Sequence, residues 1–269
     1  MGVNMQSITS DPMISRPDLS SNFFEWLCRL GDNTLILSHR LSQWCGHGPS
    51  LEEDIALTNI SLDLIGHTQM WLTLAGEVEG KGRNADTLAF LRDAYHFRNI
   101  LMVELPKGDM AFTLMRQLFF DTFHFHLLNN LTDSASPRTA EIAAKALKEA
   151  SYHLERSAGL VVRLGDGTRE SQQRMQLALA QLWPYTMEMF MEDDVDEAMV
   201  TAGIAPPLKS LKTSWESALQ CILEEATLTI PDHTSYAHAG GKKGRHTEHL
   251  GYLLAEMQFL QRAYPGVSW

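Results

Sequence analysis

The chain has 269 residues, of which 44% are hydrophobic and 20% are charged, and its net charge is −11. This is the composition of an ordinary globular protein, and the acidic balance argues against nucleic acid as the main partner, because phosphate binding needs a basic surface. Three widely spaced cysteines without a CxxC motif indicate a reducing compartment, and no run approaches the roughly 20 apolar residues of a membrane span. We therefore expect a cytoplasmic protein that does not enter the membrane.

Residues 1–22 have no continuous apolar core and are predicted to be a flexible N-terminal tail. Residues 23–269 are predicted to form a single helical domain that ends in a basic loop and a helix. Strand signals are scarce, and apolar residues return every three or four positions. This periodicity predicts helices with approximate bounds Phe23–Trp44, Ser50–Glu77, Asp86–Ile100, Asp109–Leu131, Pro137–Gly165, Arg169–Met191, Lys209–Ala226 and Thr247–Ala263.

Four of these predicted helices each carry one acidic residue on an apolar face, namely Asp32, Asp63, Asp121 and Glu149. In ferritin-like di-metal bundles, two helices each give one carboxylate and two others each give a Glu-x-x-His pair. Here the third residue after Asp63 is Gly66 and the third after Glu149 is Tyr152, so the imidazoles of the standard pairs are missing. The pattern predicts an all-α protein, a ferritin-like four-helix bundle with additional C-terminal helices and a damaged metal centre.

Other interpretations of these acidic residues remain open. Each residue alone can lie on a polar face or form a salt bridge. His67 and His153 follow Asp63 and Glu149 by four positions, a spacing that also brings side chains to one face. The alternative function is therefore a self-sufficient di-iron oxygenase with a non-standard ligand set. Lys145, four residues before Glu149, either fills the space of a metal ion with its ammonium group or is a solvated surface lysine.

Three further segments are candidates for ligand binding. Gly240–Arg245 is the only concentrated basic segment, and its glycines let Lys242, Lys243 and Arg245 approach a phosphate or an acidic partner, although a mobile surface loop is equally compatible. His96, Phe97, Arg98 and Asn99 suit a ligand with phosphate and amide groups, and exposed helix polarity explains them as well. The acidic run over residues 192–197 is most simply a solvated helix start.

Several motifs resemble one family. The chain is similar to the C subunits of bacterial phenylacetyl-CoA epoxidases from about Leu30 to Trp269, and the C-terminal segment is the most specific part. The similar segments are Leu30–Asn33, Trp44–His47, Leu62–Gly66, Asp86–Phe90, Lys148–His153, Gly241–Leu250, Leu254–Gln258 and Pro265–Trp269.

This resemblance implies a structural, non-catalytic subunit with no metal or other cofactor of its own. It implies a homologous catalytic A subunit that holds the iron, a small B subunit, a reductase subunit and phenylacetyl-CoA as the substrate, which the complex epoxidises in phenylacetate degradation. It also supplies coenzyme A as the ligand of the basic segment. By position, the ligand-contacting segments of the family fall at His96–Asn99 and near Glu197, Ala198 and Met199.

Overall fold

A computed structural model describes residues 17–231 and 236–267. Within these ranges the regular structure is helical, as predicted. No described helix combines the length and the apolar character that a membrane crossing requires. The first part of the chain forms α1 (Pro17–Ser42), α2 (Leu51–Glu79), α3 (Ala85–Phe90), α4 (Leu101–Glu104), α5 (Met110–Leu131) and α6 (Pro137–Gly165).

The ends of the long helices follow from local capping. The Ser50 side chain accepts a hydrogen bond from the backbone N–H of Glu53, and α2 ends at Gly80 in the left-handed conformation, with φ of 68°. Asp109 caps α5 in the same way, and Ser136 caps α6 just before Pro137. The predicted extents of α5 and α6 are therefore confirmed to within a residue.

The bundle is built from two helix pairs, in which α1 packs along α2 and α5 packs along α6. Helix α5 is the most central, because its side chains from Leu114 to His124 are all buried. Phe119 and Phe120 on α5 lie in one core with Leu27 of α1 and Trp71 of α2. A helix that is apolar on all sides needs neighbours on all sides. The bundle core therefore surrounds α5, and the polar groups that α5 carries are deep inside the protein.

Two predictions about the first part of the chain were wrong. Helix α1 begins at Pro17, so the predicted tail extends too far, and residues 1–16 lie outside the described residues. The predicted helix over Asp86–Ile100 ends at Phe90, and a 3₁₀ turn at Ala94–His96 and extended backbone follow it. Long-range contacts replace the helix here, because the Ile100 N–H donates to the side chain of Asn33 on α1.

The second part of the chain packs against this bundle with shorter helices. The predicted helix over Arg169–Met191 ends at Thr186 and continues as a 3₁₀ turn over Met187–Phe190. The predicted last helix is divided at Gln258, whose buried side chain donates to the carbonyls of Ala89 and Arg92. The helices of this part are α7 (Arg169–Thr186), α8 (Asp194–Thr201), α9 (Leu208–Glu225), α10 (Glu248–Met257) and α11 (Phe259–Ala263).

Candidate functional site

Asp32, the first of the four predicted acidic residues, does not belong to a shared site. It is fully buried on α1, and the guanidinium of Arg92 binds both of its carboxylate oxygens. The backbone N–H of Arg98 donates to the same carboxylate over 2.8 Å. Burial alone would lower the pKa of Arg92, but the Asp32 carboxylate outweighs it and raises that pKa. Asp32 is thus the counter-ion of a buried arginine and not a free ligand.

The other three acidic residues do come together, and histidines join them. His67 on α2 donates from Nε2 to Glu149 on α6 over 2.7 Å. His153 on α6 donates from Nε2 to Asp63 on α2 over 3.0 Å. Each of these two hydrogen-bonded pairs therefore joins α2 to α6. We call the following group the histidine cluster: Asp63, His67, Asp121, His124, Glu149 and His153.

His124 is the member of the cluster that the sequence analysis missed. Its Nε2 lies 3.3 Å from Nδ1 of His67, so His124 extends the hydrogen bonds from α2 into the core. A signal for it exists in the sequence. His124 follows Asp121 by three residues, which is the standard carboxylate–histidine spacing of metal-binding bundles.

Burial decides the charge of the inner part of the cluster. It lowers the pKa of His67, against the opposing effect of Glu149, and it lowers the pKa of His124 well below the ordinary value. It also raises the pKa of Asp121 to about 6. The partners of the Asp121 carboxylate are weak, because Gln117 donates to Oδ1 over 3.4 Å and the hydrogen bond with Ser157 only partly offsets the effect of burial on the pKa. The inner cluster is therefore arranged for neutral imidazoles.

These residues do not fit a di-iron centre. The Nε2 atoms of His67 and His153 are already bonded to carboxylates, and Asp32 is bonded to Arg92. Tyr152 is exposed and Gly66 offers no donor atom, with no atom within 4 Å of a Cβ built there. Among the described residues, no group of three or more His, Cys, Asp or Glu side chains is arranged to hold a metal ion.

Lys145 does not fill the space of a metal ion. Its side chain is exposed on α6, and it forms no ion pair within the part of the chain that the structure describes. The surface alternative for Lys145 is therefore the one that the structure supports. The histidines, and not a lysine ammonium, are the partners of Asp63 and Glu149.

The two outer carboxylates of the cluster are partly exposed, and the helices that carry them also expose apolar side chains. Asp63 and Glu149 retain 33% and 39% of their side-chain exposure. Large apolar side chains on α2 and α6 are exposed as well. We call this surface the α2–α6 face, and it comprises Leu51, Ile55, Leu62, Ile65 and Tyr152. The four residues on α2 recur at helical spacing, and exposed apolar groups along one side of a helix indicate an interaction surface.

A second site forms where the three predicted ligand-binding segments meet. The carbonyl of Phe97 binds Nε2 of His246 over 3.0 Å, which joins the His96–Asn99 segment to the basic loop. Lys242 of the loop forms an ion pair with buried Asp196 over 3.0 Å, which brings Glu197, Ala198 and Met199 to the same region. The segments were predicted separately, and the fold makes them neighbours.

Not all residues of these segments are accessible to a ligand. Phe97 and Asn99 are fully buried, as is Met199, so their side chains support the region from inside. Arg98 pairs with Glu25. His96 and Glu197 are exposed. The ligand contacts that remain available are therefore fewer than the sequence analysis expected.

The acidic run at residues 192–197 is not simply solvated. Arg29 on α1 is buried and forms hydrogen bonds to Asp193 over 2.8 and 2.9 Å and to Asp196 over 3.0 Å. Asp193 also forms the capping box of α8 with Asp196. Because Lys242 shares Asp196 with Arg29, the two acids neutralise two cations inside the protein.

Two cations of the basic loop have no counter-ion within the described ranges. Lys243 and Arg245 are exposed, and they line an open groove of about 370 Å³ together with Lys242 and Met191. The groove is also lined by Glu188, Glu192 and Asp193, but these carboxylates accept hydrogen bonds from backbone N–H groups or from Arg29. Lys243 and Arg245 have no such partner in the described residues. Such a groove suits a phosphate or carboxylate group of a ligand.

Comparisons with known proteins agree with the resemblance in the sequence. A family model described as phenylacetic acid catabolic protein matches residues 5–269, a range that includes the histidine cluster and the basic loop. The chain is also 50% identical over 241 residues to the C subunit of the 1,2-phenylacetyl-CoA epoxidase of Escherichia coli (strain K12). That similarity covers 90% of this chain and 96% of the relative.

Proposed function

The chain belongs to the phenylacetic acid catabolic protein family, and from this premise we propose that it is the structural C subunit of a 1,2-phenylacetyl-CoA epoxidase. In this role it carries no catalytic iron. It pairs with a homologous catalytic A subunit, and it contributes to the binding of the CoA ester. The reaction takes place in the A subunit, which the resemblance implies is the iron-binding partner.

One observation supports the non-catalytic role above all others. Three of the four candidate carboxylate ligands are already bonded to other protein groups, with Asp63 on His153, Glu149 on His67 and Asp32 on Arg92. A metal ion would have to break these bonds, and it would find no imidazole at Gly66 or Tyr152. The rival function, a self-sufficient di-iron oxygenase, needs these same side chains to be free.

Metal analysis of the purified full-length chain tests this role. We expect no stoichiometric iron and no oxygenase activity from the chain alone after expression in iron-supplemented medium. About two irons per chain, in the manner of di-iron bundles, would instead establish the rival function.

The α2–α6 face is the surface that we assign to the A subunit. This face exposes Leu62 and Ile65, and the partly exposed carboxylates Asp63 and Glu149 lie on the same two helices. This composition is typical of a stable protein interface. The name of the E. coli relative, a subunit, implies that further subunits exist.

Co-purification with a co-expressed A subunit tests the pairing. We expect Leu62→Asp with Ile65→Asp to abolish co-purification, because two charges would be buried in the apolar interface. Leu177→Asp is the control, since Leu177 is equally exposed but lies on α7. Loss of pairing in the control alone, or in neither variant, would contradict the assignment of this face.

The basic loop is the part that we assign to the CoA ester. Lys243 and Arg245 are exposed and unpaired in the described structure, and a CoA ester carries several phosphate oxygens that accept charge-assisted hydrogen bonds. We expect Lys243→Glu with Arg245→Glu to raise the KM of the complex for the CoA ester about tenfold or more, since two favourable charges become unfavourable. Arg169→Glu with Lys209→Glu, the same charge change at two exposed sites on α7 and α9, should leave KM unchanged.

A further inference from the structure

The basic loop is irregular in conformation, yet a buried carboxylate holds its beginning. Glu188 lies in the 3₁₀ turn after α7 and is 1% exposed. Its Oε1 accepts the backbone N–H groups of both Gly240 and Gly241 at 2.8 Å. Its Oε2 accepts the N–H of Leu101 at 2.7 Å. One side chain therefore ties the loop to α4 through three main-chain hydrogen bonds.

A second buried carboxylate holds the end of the loop. Glu104 on α4 is fully buried and accepts the Thr247 N–H over 2.6 Å and the His246 imidazole over 2.8 Å. Asn99 donates to the same carboxylate over 2.9 Å. Both ends of the segment 240–247 are thus fixed to the backbone around α4, and Lys243 and Arg245 lie between the fixed points.

Glycines allow the segment to lie directly on that backbone. A Cβ at Gly241 would be 2.0 Å from the carbonyl oxygen of Asn99, and a Cβ at Gly244 would be 2.2 Å from that of Tyr95. Gly244 also has φ of 72°, which other residues rarely adopt. The loop backbone has no room to move toward the bundle, so it can move only outward, toward the solvent.

Burying two glutamates to hold a surface loop costs free energy, because each carboxylate loses its contacts with water and must form hydrogen bonds inside the protein instead. Burial raises the pKa of Glu188 despite the backbone donors that favour its charged form. Apolar contacts would close the loop at a lower cost in free energy. Unlike apolar contacts, hydrogen bonds are directional. The two carboxylates therefore fix the position of the backbone on both sides of the exposed cations.

We infer that Glu188 and Glu104 are positioning residues, which hold the segment 240–247 so that Lys243 and Arg245 form a rigid, preformed site for a phosphate group of coenzyme A. This inference rests on the proposed function for the ligand and adds the residues that act through the loop. A site ordered before binding does not lose conformational entropy when the ligand arrives, so affinity depends on the two glutamates as well as on the cations.

The test uses the complex of the full-length chain with its co-expressed subunits, and coenzyme A as the probe. Glu188→Gln keeps the size of the side chain but presents an amide N–H to main-chain donors. We expect amide hydrogen exchange in residues 239–245 to become about tenfold faster or more and the affinity for coenzyme A to fall about tenfold, as for one or two lost hydrogen bonds to a charged group. Gly241→Ala should do the same through the clash with Asn99.

Glu192→Gln is the matched control. Glu192 is close to Glu188 in sequence and also accepts a backbone N–H, but from Leu208 and not from the loop. Loop exchange in this variant should equal that of the wild type. Because Glu192 also lines the groove, this control applies to hydrogen exchange and not to ligand affinity. A general loss of stability, in contrast, would also speed exchange in α5 and α6, which we expect to stay unchanged in Glu188→Gln.

A mutant cycle separates positioning from a merely structural role. If Glu188 acts through the cations, Glu188→Gln should cost no further affinity once Lys243→Ala and Arg245→Ala are present. Two results would overturn the inference and leave the proposed function intact. One is that the effects of Glu188→Gln and of the two alanine substitutions on affinity are fully additive. The other is that Glu188→Gln leaves the affinity unchanged while the two alanine substitutions weaken binding. Unchanged affinity in Lys243→Ala with Arg245→Ala removes coenzyme A from the loop, and the assignment of the loop to the CoA ester falls with it.

Discussion

Two regions of the molecule pair carboxylates with side chains of different chemistry. In the region around α1, arginines are the partners, as in Asp32 with Arg92 and in Asp193 and Asp196 with Arg29. We call these the arginine pairs. In the histidine cluster, imidazoles are the partners, and burial lowers the pKa of His67 and of His124. Arginine stays charged at all ordinary pH values, whereas histidine does not.

The two regions therefore differ in whether their charges depend on pH. The arginine pairs keep the same charge whatever the pH, so they can act as fixed connections between distant parts of the chain. In the histidine cluster, burial raises the pKa of Asp121 to about 6 and lowers the pKa of His67 and of His124, so the charge of these groups depends on pH in the acidic range. We therefore expect mutations in the arginine pairs to have large effects that do not depend on pH, and mutations in the cluster to have smaller effects that do.

The largest effect is expected from Asp32→Ala. The substitution leaves the guanidinium of Arg92 buried without a carboxylate, which should lower the free energy of unfolding by about 3–5 kcal/mol. Urea denaturation at pH 6 and pH 8 should give the same loss. Asp93→Ala is the control, because its pair with Arg262 is exposed and should be worth about 0–1 kcal/mol. A loss below about 1 kcal/mol in Asp32→Ala would remove the distinction between the regions.

Asp121→Asn should stabilise the protein at neutral pH. Burial raises the pKa of Asp121 from 3.8 to about 6, so the folded state binds a proton that the unfolded state has already lost. The stability of the wild type therefore falls as the pH rises from about 4 to about 6. The variant avoids this loss, and we expect it to be about 1–3 kcal/mol more stable at pH 7.5 and to lose the advantage near pH 4.

Urea denaturation across this pH range measures the difference. Asp133→Asn, at an exposed position, should follow the wild type at every pH. An Asp121→Asn variant that is less stable than the wild type at pH 7.5 would mean that the charged carboxylate has a partner that stabilises it.

His124→Gln should change the slope of stability with pH in the opposite direction. The pKa of His124 is lowered well below 6.5 by burial, so below pH 6.5 the unfolded state binds a proton that the folded state does not. This imidazole thus makes the wild type lose up to about 1.4 kcal/mol per pH unit as the pH falls below 6.5. The variant should lack this contribution to the slope, whatever its stability at pH 8. His47→Gln, at an exposed site, should keep the slope of the wild type.

The sequence predicted the features that depend on neighbouring residues. Helices α5 and α6 begin where the sequence predicted, because the signals that start a helix, such as the caps Asp109 and Ser136, act over about three residues. The partner of Asp32 was not predictable in this way, since Arg92 is 60 positions away in a segment whose periodicity indicated a helix. Glu104 and Glu188 also gave no signal, because a glutamate in a helical pattern usually lies on the surface. What the sequence left undetermined is which charges the tertiary structure buries.

Lys145→Ala is expected to have the smallest effect, and it tests whether the histidine cluster is complete by itself. Lys145 is exposed, so its removal should change the free energy of unfolding by no more than about 0.5 kcal/mol, like Lys148→Ala four-fifths of a turn later on the same helix. If the ammonium group instead paired with Asp63 or Glu149, which are partly exposed, the loss would be about 1 kcal/mol and would shrink at high salt concentration. No effect at Lys145 together with a clear pH dependence at His124 would indicate that the carboxylates of the histidine cluster rely on imidazoles and not on Lys145.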